Sequence, residues 1–394
     1  MGSWAHSISY SLEKHTNLKK PLTLAFIGGG LNSAVGKVHA TASQMDNIWE
    51  LVCGCFSTNE KANQESGTTY GLSPHRIHKN WATLIDEEKN SVDAVAILTP
   101  TPSHSEIIIK CLEAGLPVIS EKAIALSSSE STIIQNKLKE MHGFLAVTYN
   151  YSGYPMVREL RSLIRTGELG KILHFQVEMP QEGYLRFNAN GEKPTPQPWR
   201  LSDLSIPTLY LDLGVHTHHL INYLTQAKPL EVLADHQSFG FFDVIDNVSC
   251  LCRYSSGIHG QLWFSKSALG HRNGLRIRIY GSKGSAEWFQ GNPEELVLAH
   301  SDGRRSILDR AGDAGVSTHG RYNRFKAGHP SGFIEAFANL YVDVGSALLQ
   351  FRKHGKFESD EIFGTNLATE GLLFMESMVL STVTRKWEKV ESII

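Results

Sequence analysis

The sequence predicts an α/β Rossmann domain followed by an α+β domain with a large, open, mostly antiparallel sheet. Three observations carry this expectation. Short apolar runs alternate with helix-like stretches over the first 150 residues, and a glycine cluster closes the first of these runs. After about residue 150, strand-like segments follow one another through short turns. At 394 residues the chain exceeds one ordinary core. The expected divisions are a polar lead-in at 1–20, a nucleotide-binding domain at 21–150, and a substrate-binding and oligomerisation domain at 151–394.

Taken in order, residues 22–27 form a compact apolar strand ending in Gly28-Gly29-Gly30, with a helix over 35–44 and a second strand over 50–56. A strand at 94–98 runs into Thr99-Pro100-Thr101-Pro102, a helix over 104–114 stops at Gly115, and a strand follows at 117–120. A helix at 127–141 and a strand at 144–148 complete the set. Strands alternating with helices imply right-handed crossovers and a parallel sheet. Beyond them, a helix at 157–165 precedes strands at 172–179, 230–236, 248–254, 260–265, 275–280 and 285–289. Short connections such as Tyr280-Gly281-Ser282-Lys283-Gly284 suit antiparallel neighbours. Residues 291–330 read as loop, and helices at 332–350 and 364–385 close the fold.

Bulk composition excludes several classes of partner. With 38 basic against 40 acidic side chains, no nucleic-acid partner and no anionic membrane surface is expected. No apolar run approaches a membrane span, and the N-terminus carries no secretory signal, so a cytoplasmic location is expected. Cys53/Cys55 and Cys250/Cys252 sit two apart on strands, so each pair shares a face. They lack the flanking turns of a zinc knuckle and read as buried reduced thiols; no metal is expected.

Chemistry concentrates in three places. Gly28-x-Gly30, with Asn32 and Ser33 in the same turn, joins a strand to a helix. Glycine there lets the backbone approach a pyrophosphate while helix N–H groups face its charge. Ser33 replaces the third glycine of the usual pattern, and Gly36 follows. The second strand ends at Ser57 with no acid before Glu60, which leaves NAD or NADP open; Lys61 is either a phosphate contact or a solvated helix residue. Thr99, Pro100 and His104 follow one strand end, and Glu121-Lys122 follows another on the same rim. A lysine there can bind a substrate hydroxyl and favour its deprotonated form, or stand as an ordinary exposed lysine. Third, Asp212, His216 and His219 fall at i, i+4 and i+7 on one face of a helix. A histidine oriented by a carboxylate suits general acid–base work. A metal site from the same three side chains, or a core histidine beside a capping aspartate, competes with that reading.

Together these motifs resemble the glucose–fructose oxidoreductase, inositol dehydrogenase and rhizopine-catabolism (Gfo/Idh/MocA) family over about residues 21–385. The resemblance implies a hydride transfer between a secondary alcohol of a sugar or cyclitol and a nicotinamide. Lys122 then matches the residue that binds the reacting hydroxyl, His216 the proposed base, and Asp212 its carboxylate partner. Gly28, Gly30, Asn32, Ser33, Ser57, Thr99, Pro100, His104 and Glu121 fall along the cofactor. Tyr184, Trp199, Arg200, His219, Asn273 and His329 are candidate substrate contacts. The family's open sheet implies a homodimer or homotetramer. Two positions depart from the pattern: Ala123 replaces the usual proline after Glu-Lys, where a cis peptide would otherwise be expected, and His219 stands where many relatives carry aspartate. A non-catalytic NAD(P)-binding sensor, a metal-dependent lyase or hydrolase using Asp212, His216 and His219, and an enzyme that recycles a tightly held cofactor are the alternatives.

Overall fold

A computed structural model describes residues 20–312 and 315–391. The lead-in expected at 1–20 lies outside the described residues, apart from Lys20. Packing divides the chain into two units. The first comprises residues up to Ala125 with Glu130–Gly153 and Gly332–Thr365; the second comprises Leu126–Ser129, Tyr154–Ser331 and Asn366 onward.

The first unit begins with β1 (Leu22–Gly28), α1 (Gly36–Gln44), β2 (Trp49–Cys55), α2 (Glu60–Thr69) and α3 (Trp81–Glu88). It continues through β3 (Ala94–Leu98), α4 (His104–Glu113), β4 (Val118–Ser120), α5 (Ser128–Glu140) and β5 (Leu145–Val147). The five strands form one sheet in the order β2-β1-β3-β4-β5. Every pairing is parallel. All five residues of β3 are buried, which is why the run is apolar throughout rather than alternating. The order reverses direction between β1 and β3, the point at which open α/β sheets leave a crevice for ligands.

The second unit contains α6 (Pro155–Arg165), β6 (Ile172–Pro180), α7 (Val215–Thr225), β7 (Pro229–Gln237), β8 (Asn247–Tyr254), β9 (Ile258–Ser265), β10 (Arg276–Gly281) and β11 (Gly284–Phe289). Two further strands, β12 (Asn292–His300) and β13 (Arg305–Asp309), occupy the stretch expected to be loop. They form a hairpin in which Gly303, at φ +88°, donates to His300 O at 3.0 Å. The Asp302-Gly303 pair is thus the hairpin turn, not the middle of a long loop. After α8 (Phe333–His354) and α9 (Thr365–Thr384), the short β14 (Glu388–Lys389) completes a nine-stranded sheet ordered β13-β12-β11-β10-β6-β9-β8-β7-β14. Only β6 and β9 pair in parallel. In β8, Val248, Cys250, Cys252 and Tyr254 are buried while the residues between them are exposed or half-buried, so one sheet face is covered and the other open.

A single break near residue 150 does not describe this packing. α8 returns to the first unit, where Phe337, Leu340, Tyr341, Val344 and Leu348 join the core formed by Leu24, Phe26, Trp49 and Ile119. Each such side chain contributes about 1.5–3 kcal/mol of burial. Trp49 Nε1 donates to Tyr341 O at 2.9 Å, fixing the helix in register. The Lys122–Ala123 peptide is cis although alanine, not proline, follows the lysine, and this corrects the doubt raised by the sequence.

Candidate active site

The glycine turn is built by close approach. Gly28 adopts φ +84°, and a Cβ on it would lie 2.7 Å from Leu98 C and Thr99 N. A Cβ on Gly36 would lie 2.0 Å from Gly29 O, so Gly36 supplies the close helix–turn contact expected of a third glycine. Ser33 serves the helix start instead: its Oγ accepts from Val35 N and Gly36 N, each at 3.3 Å. Ser66 of α2 and Tyr70 just past its end, both missed by sequence reading, hold the turn from below. Ser66 Oγ accepts from Leu31 N at 3.1 Å, and Tyr70 OH donates to Gly29 O at 2.8 Å. The turn of small residues opening into the N-terminus of α1 fits a dinucleotide pyrophosphate. Asn32 is exposed at the tip. At the end of β2, Ser57 Oγ accepts from Asn59 N at 3.1 Å, and Lys61 is a surface residue 3.8 Å from Glu65.

Along the rim, Thr99, Pro100 and His104 follow β3 as expected, but the His104 ring bridges strand ends. Its Nδ1 lies 2.7 Å from Ala123 O and its Nε2 2.7 Å from Thr99 O. Burial pushes its pKa down, against the pull of these two carbonyls. Glu121 is likewise turned inward. It receives His39 Nε2 at 3.0 Å and the Thr148 hydroxyl, and His39 Nδ1 lies 2.7 Å from Tyr341 OH. Burial alone would raise this carboxyl; the hydrogen bond and charge of His39, with Lys122 and Thr148, bring it down to about 2. Lys122 follows it on the rim, half-buried.

In the second unit Asp212 lies not in an α-helix but in a π turn, Tyr210–Gly214, that runs directly into α7. The wider turn inserts a residue ahead of His216, so the i, i+4, i+7 face expected of one regular helix is broken. Asp212 Oδ2 accepts from both Arg200 Nη1 and Lys266 Nζ. Tyr184 joins the group, its OH donating to Arg200 O at 3.1 Å and its ring 5.2 Å below the Lys266 ammonium. Trp199 stacks on the Arg200 guanidinium, 4.4 Å from CZ to ring centroid. Lys266 was missed by the sequence reading. His216 is buried on α7; His219 is fully buried against Tyr223 and held well below its ordinary pKa by burial and by His216, His218 and Arg161. Asn273 bridges Gln181 and Gln290, at 3.0 and 2.7 Å. His329 is exposed, edge-on to Phe325.

Among the described residues, the one trio of His, Cys, Asp or Glu side chains with ligand atoms within 4.8 Å of one another is Cys53, His78 and Glu88. Asp212, His216 and His219 do not form such a trio. The Cys53 cluster closes on itself: Glu88 receives Arg76 and His78, each at 2.8 Å, and Ser91, while His78 Nδ1 faces Glu87 at 3.1 Å. Burial first, then Glu88, pushes the Cys53 thiol up to about 12.

A parallel sheet with a glycine turn at its switch point, and a lysine on the same rim, define a dinucleotide-binding oxidoreductase. The comparisons agree. The model of the oxidoreductase family with an NAD-binding Rossmann fold matches residues 22–149, and that of the GFO/IDH/MocA C-terminal domain matches residues 157–287. The chain belongs to the GFO/IDH/MocA family. It is 30% identical to the uncharacterized oxidoreductase YfiI of Bacillus subtilis, over 92% of this chain and 95% of that one. It is 24% identical to myo-inositol 2-dehydrogenase of Thermotoga maritima, over 72% and 76% of the two chains. An inositol dehydrogenase homolog from Azotobacter vinelandii, solved with NADH and myo-inositol, superposes with a TM-score of 0.85 at 26% identity, covering 94% of this chain and 98% of that one.

Proposed function

We propose that the chain oxidises a secondary hydroxyl of a sugar or cyclitol with NAD or NADP, using Lys122, His216 and Asp212. The observation that carries this reading is Asp212 held by two cations on the π turn that leads into His216. The glycine turn, Asn32, Ser33 and the ends of β2 and β3 would hold the dinucleotide, which when bound supplies the hydride acceptor. Lys122 donates to the reacting hydroxyl oxygen and favours its deprotonation. His216 accepts that proton, and ionised Asp212 offsets the charge His216 gains. Trp199 offers a flat surface for a sugar ring, and Arg200, Asn273 and His329 are further contacts assigned to substrate; Tyr184 and His219, both buried, would act from behind them. Glu121 and His104, held by His39, Thr99 and Ala123, would shape the rim on which the coenzyme lies.

No helix among the described residues is long and apolar enough to cross a membrane. The free, buried cysteines support a reducing, cytoplasmic location. Exposed Leu173 and Leu251 on the open sheet support a homodimer or homotetramer, which light scattering reads directly.

Absorbance at 340 nm, with NAD and NADP separately and a panel of sugars and inositols, tests the reaction. Reduced coenzyme is expected with at least one polyol. Lys122→Ala is expected to abolish turnover while calorimetry shows coenzyme binding intact; full activity in that variant refutes the assignment.

A further inference from the structure

Lys266 follows the last residue of β9, in which Ile258, Gly260, Leu262 and Phe264 are the inward-facing, buried series. Lys266 continues that series by one step, and its side chain is only 7% exposed. Its backbone is pinned on both sides: its N–H donates to Asp246 O at 2.7 Å, and its carbonyl accepts from Tyr184 N at 2.8 Å. A buried ammonium is tolerated only when paired, so the identity of its partner matters. The neighbouring carboxylates are engaged elsewhere. Asp203 accepts from Thr208 N at 2.9 Å and Ile245 N at 2.7 Å. Asp246 accepts from Phe239 N, Gly240 N and the Ser267 hydroxyl. The Lys266 ammonium instead meets Asp212, on the oxygen that also receives Arg200.

We propose that Lys266 is a positioning residue for the hydroxyl oxidation: with Arg200 it fixes Asp212 as an ionised carboxylate on the π turn that leads into His216. This rests on the functional reading of Asp212 and His216 given above. One carboxylate on a flexible side chain would sample several rotamers; two cations on one oxygen select one. Two positive charges facing one negative charge also oppose a further proton on His216, which keeps that base neutral for alcohol oxidation. The groups around this cluster are Arg200, Tyr184, Asp203 and Asp246 on the Asp212 side, with His218, His219 and Arg161 around α7.

The test uses the full-length chain with Lys266→Met and Lys266→Arg. NAD-dependent oxidation of myo-inositol, or of the panel polyol that the wild type oxidises, is followed across the neutral pH range. Lys266→Met is expected to lose about ten- to a hundred-fold in kcat with the KM for NAD unchanged. The acid limb of its pH profile is expected to move to higher pH, because His216 holds its proton longer. Lys266→Arg is expected to restore the limb. A Met variant with kcat and acid limb within about twofold of wild type overturns the proposal. A second readout needs no turnover: in protein labelled with 13C at the aspartate carboxyls, the Asp212 signal, assigned with Asp212→Asn, is expected to titrate at higher pH in Lys266→Met, and an unmoved titration overturns the proposal. If the wild type oxidises no polyol, the functional reading falls and the carboxyl titration alone decides the role of Lys266. If the Met variant does not fold, Lys266→Gln takes its place in both measurements.

Discussion

Replacing Glu121 with glutamine isolates the buried carboxylate beside Lys122. Glu121 accepts from His39 Nε2 at 3.0 Å and from Thr148, and His39 in turn reaches Tyr341 OH at 2.7 Å, so the carboxylate ties β4 to α1 and α8. A carboxyl held at about 2 rather than 4.5 favours the folded, ionised state by roughly 3 kcal/mol at neutral pH. Because the folded pKa is depressed, this contribution is complete above the unfolded value of 4.5 and is lost as pH falls toward 2. Glu121→Gln keeps the shape but removes the charge, and its amide N–H groups face donors rather than acceptors. Urea titrations followed by circular dichroism should show the variant less stable by roughly 3 kcal/mol at neutral pH, with the gap narrowing on acidification below 4.5. A variant within about 1 kcal/mol of wild type at neutral pH, or a gap that persists unchanged into acid, refutes the reasoning.

Two other predictions test the coenzyme turn and the buried cluster at the sheet edge. Gly36→Ala places a methyl group 2.0 Å from Gly29 O, so α1 must shift away from the turn; NAD affinity by calorimetry is expected to fall by at least about tenfold, and an unchanged affinity would show that Gly36 is not a packing requirement. The Cys53 thiol, pushed up to about 12 by burial and then by Glu88, is expected to resist iodoacetamide at mildly alkaline pH while the chain is folded and to react at once in urea. Rapid labelling of Cys53 in the native protein would contradict its burial.

The parts of this architecture that declare themselves in sequence are the ones whose burial is local. β1, β3 and β4 are buried on both faces, so their apolar runs stand out, and Gly28 marks a backbone conformation that other residues resist. α2 is almost wholly polar, burying only Asn63, Ser66 and Gly67, and hydrophobic periodicity has nothing to register there. β12 is half-buried along most of its length and β13 mostly exposed, so neither alternates, and the Asp302-Gly303 turn reads as loop. The return of α8 to the first unit rests on contacts with residues some three hundred positions earlier, such as Trp49 with Tyr341, which no local pattern encodes. The candidate site divides in the same way. Lys122 and the glycine turn follow from strand ends, whereas the spacing around Asp212 reads as a regular helix because a π turn has no compositional signature. Lys266 did leave a trace: counted in twos from Leu262 and Phe264, it falls on the inward side of its strand, where a lysine requires a buried partner.

The placement of α8 bears on how the chain is made. During synthesis β1 to β5 are made before α8, so the apolar face that Phe337, Tyr341 and Leu348 cover stays bare until residues 333–354 have emerged. A nascent or truncated chain ending near residue 150 therefore presents Trp49, Leu24 and their neighbours to water. The nucleotide-binding unit is thus sealed only after most strands of the second unit have been made, which lengthens the time its apolar face stays open to non-native contacts.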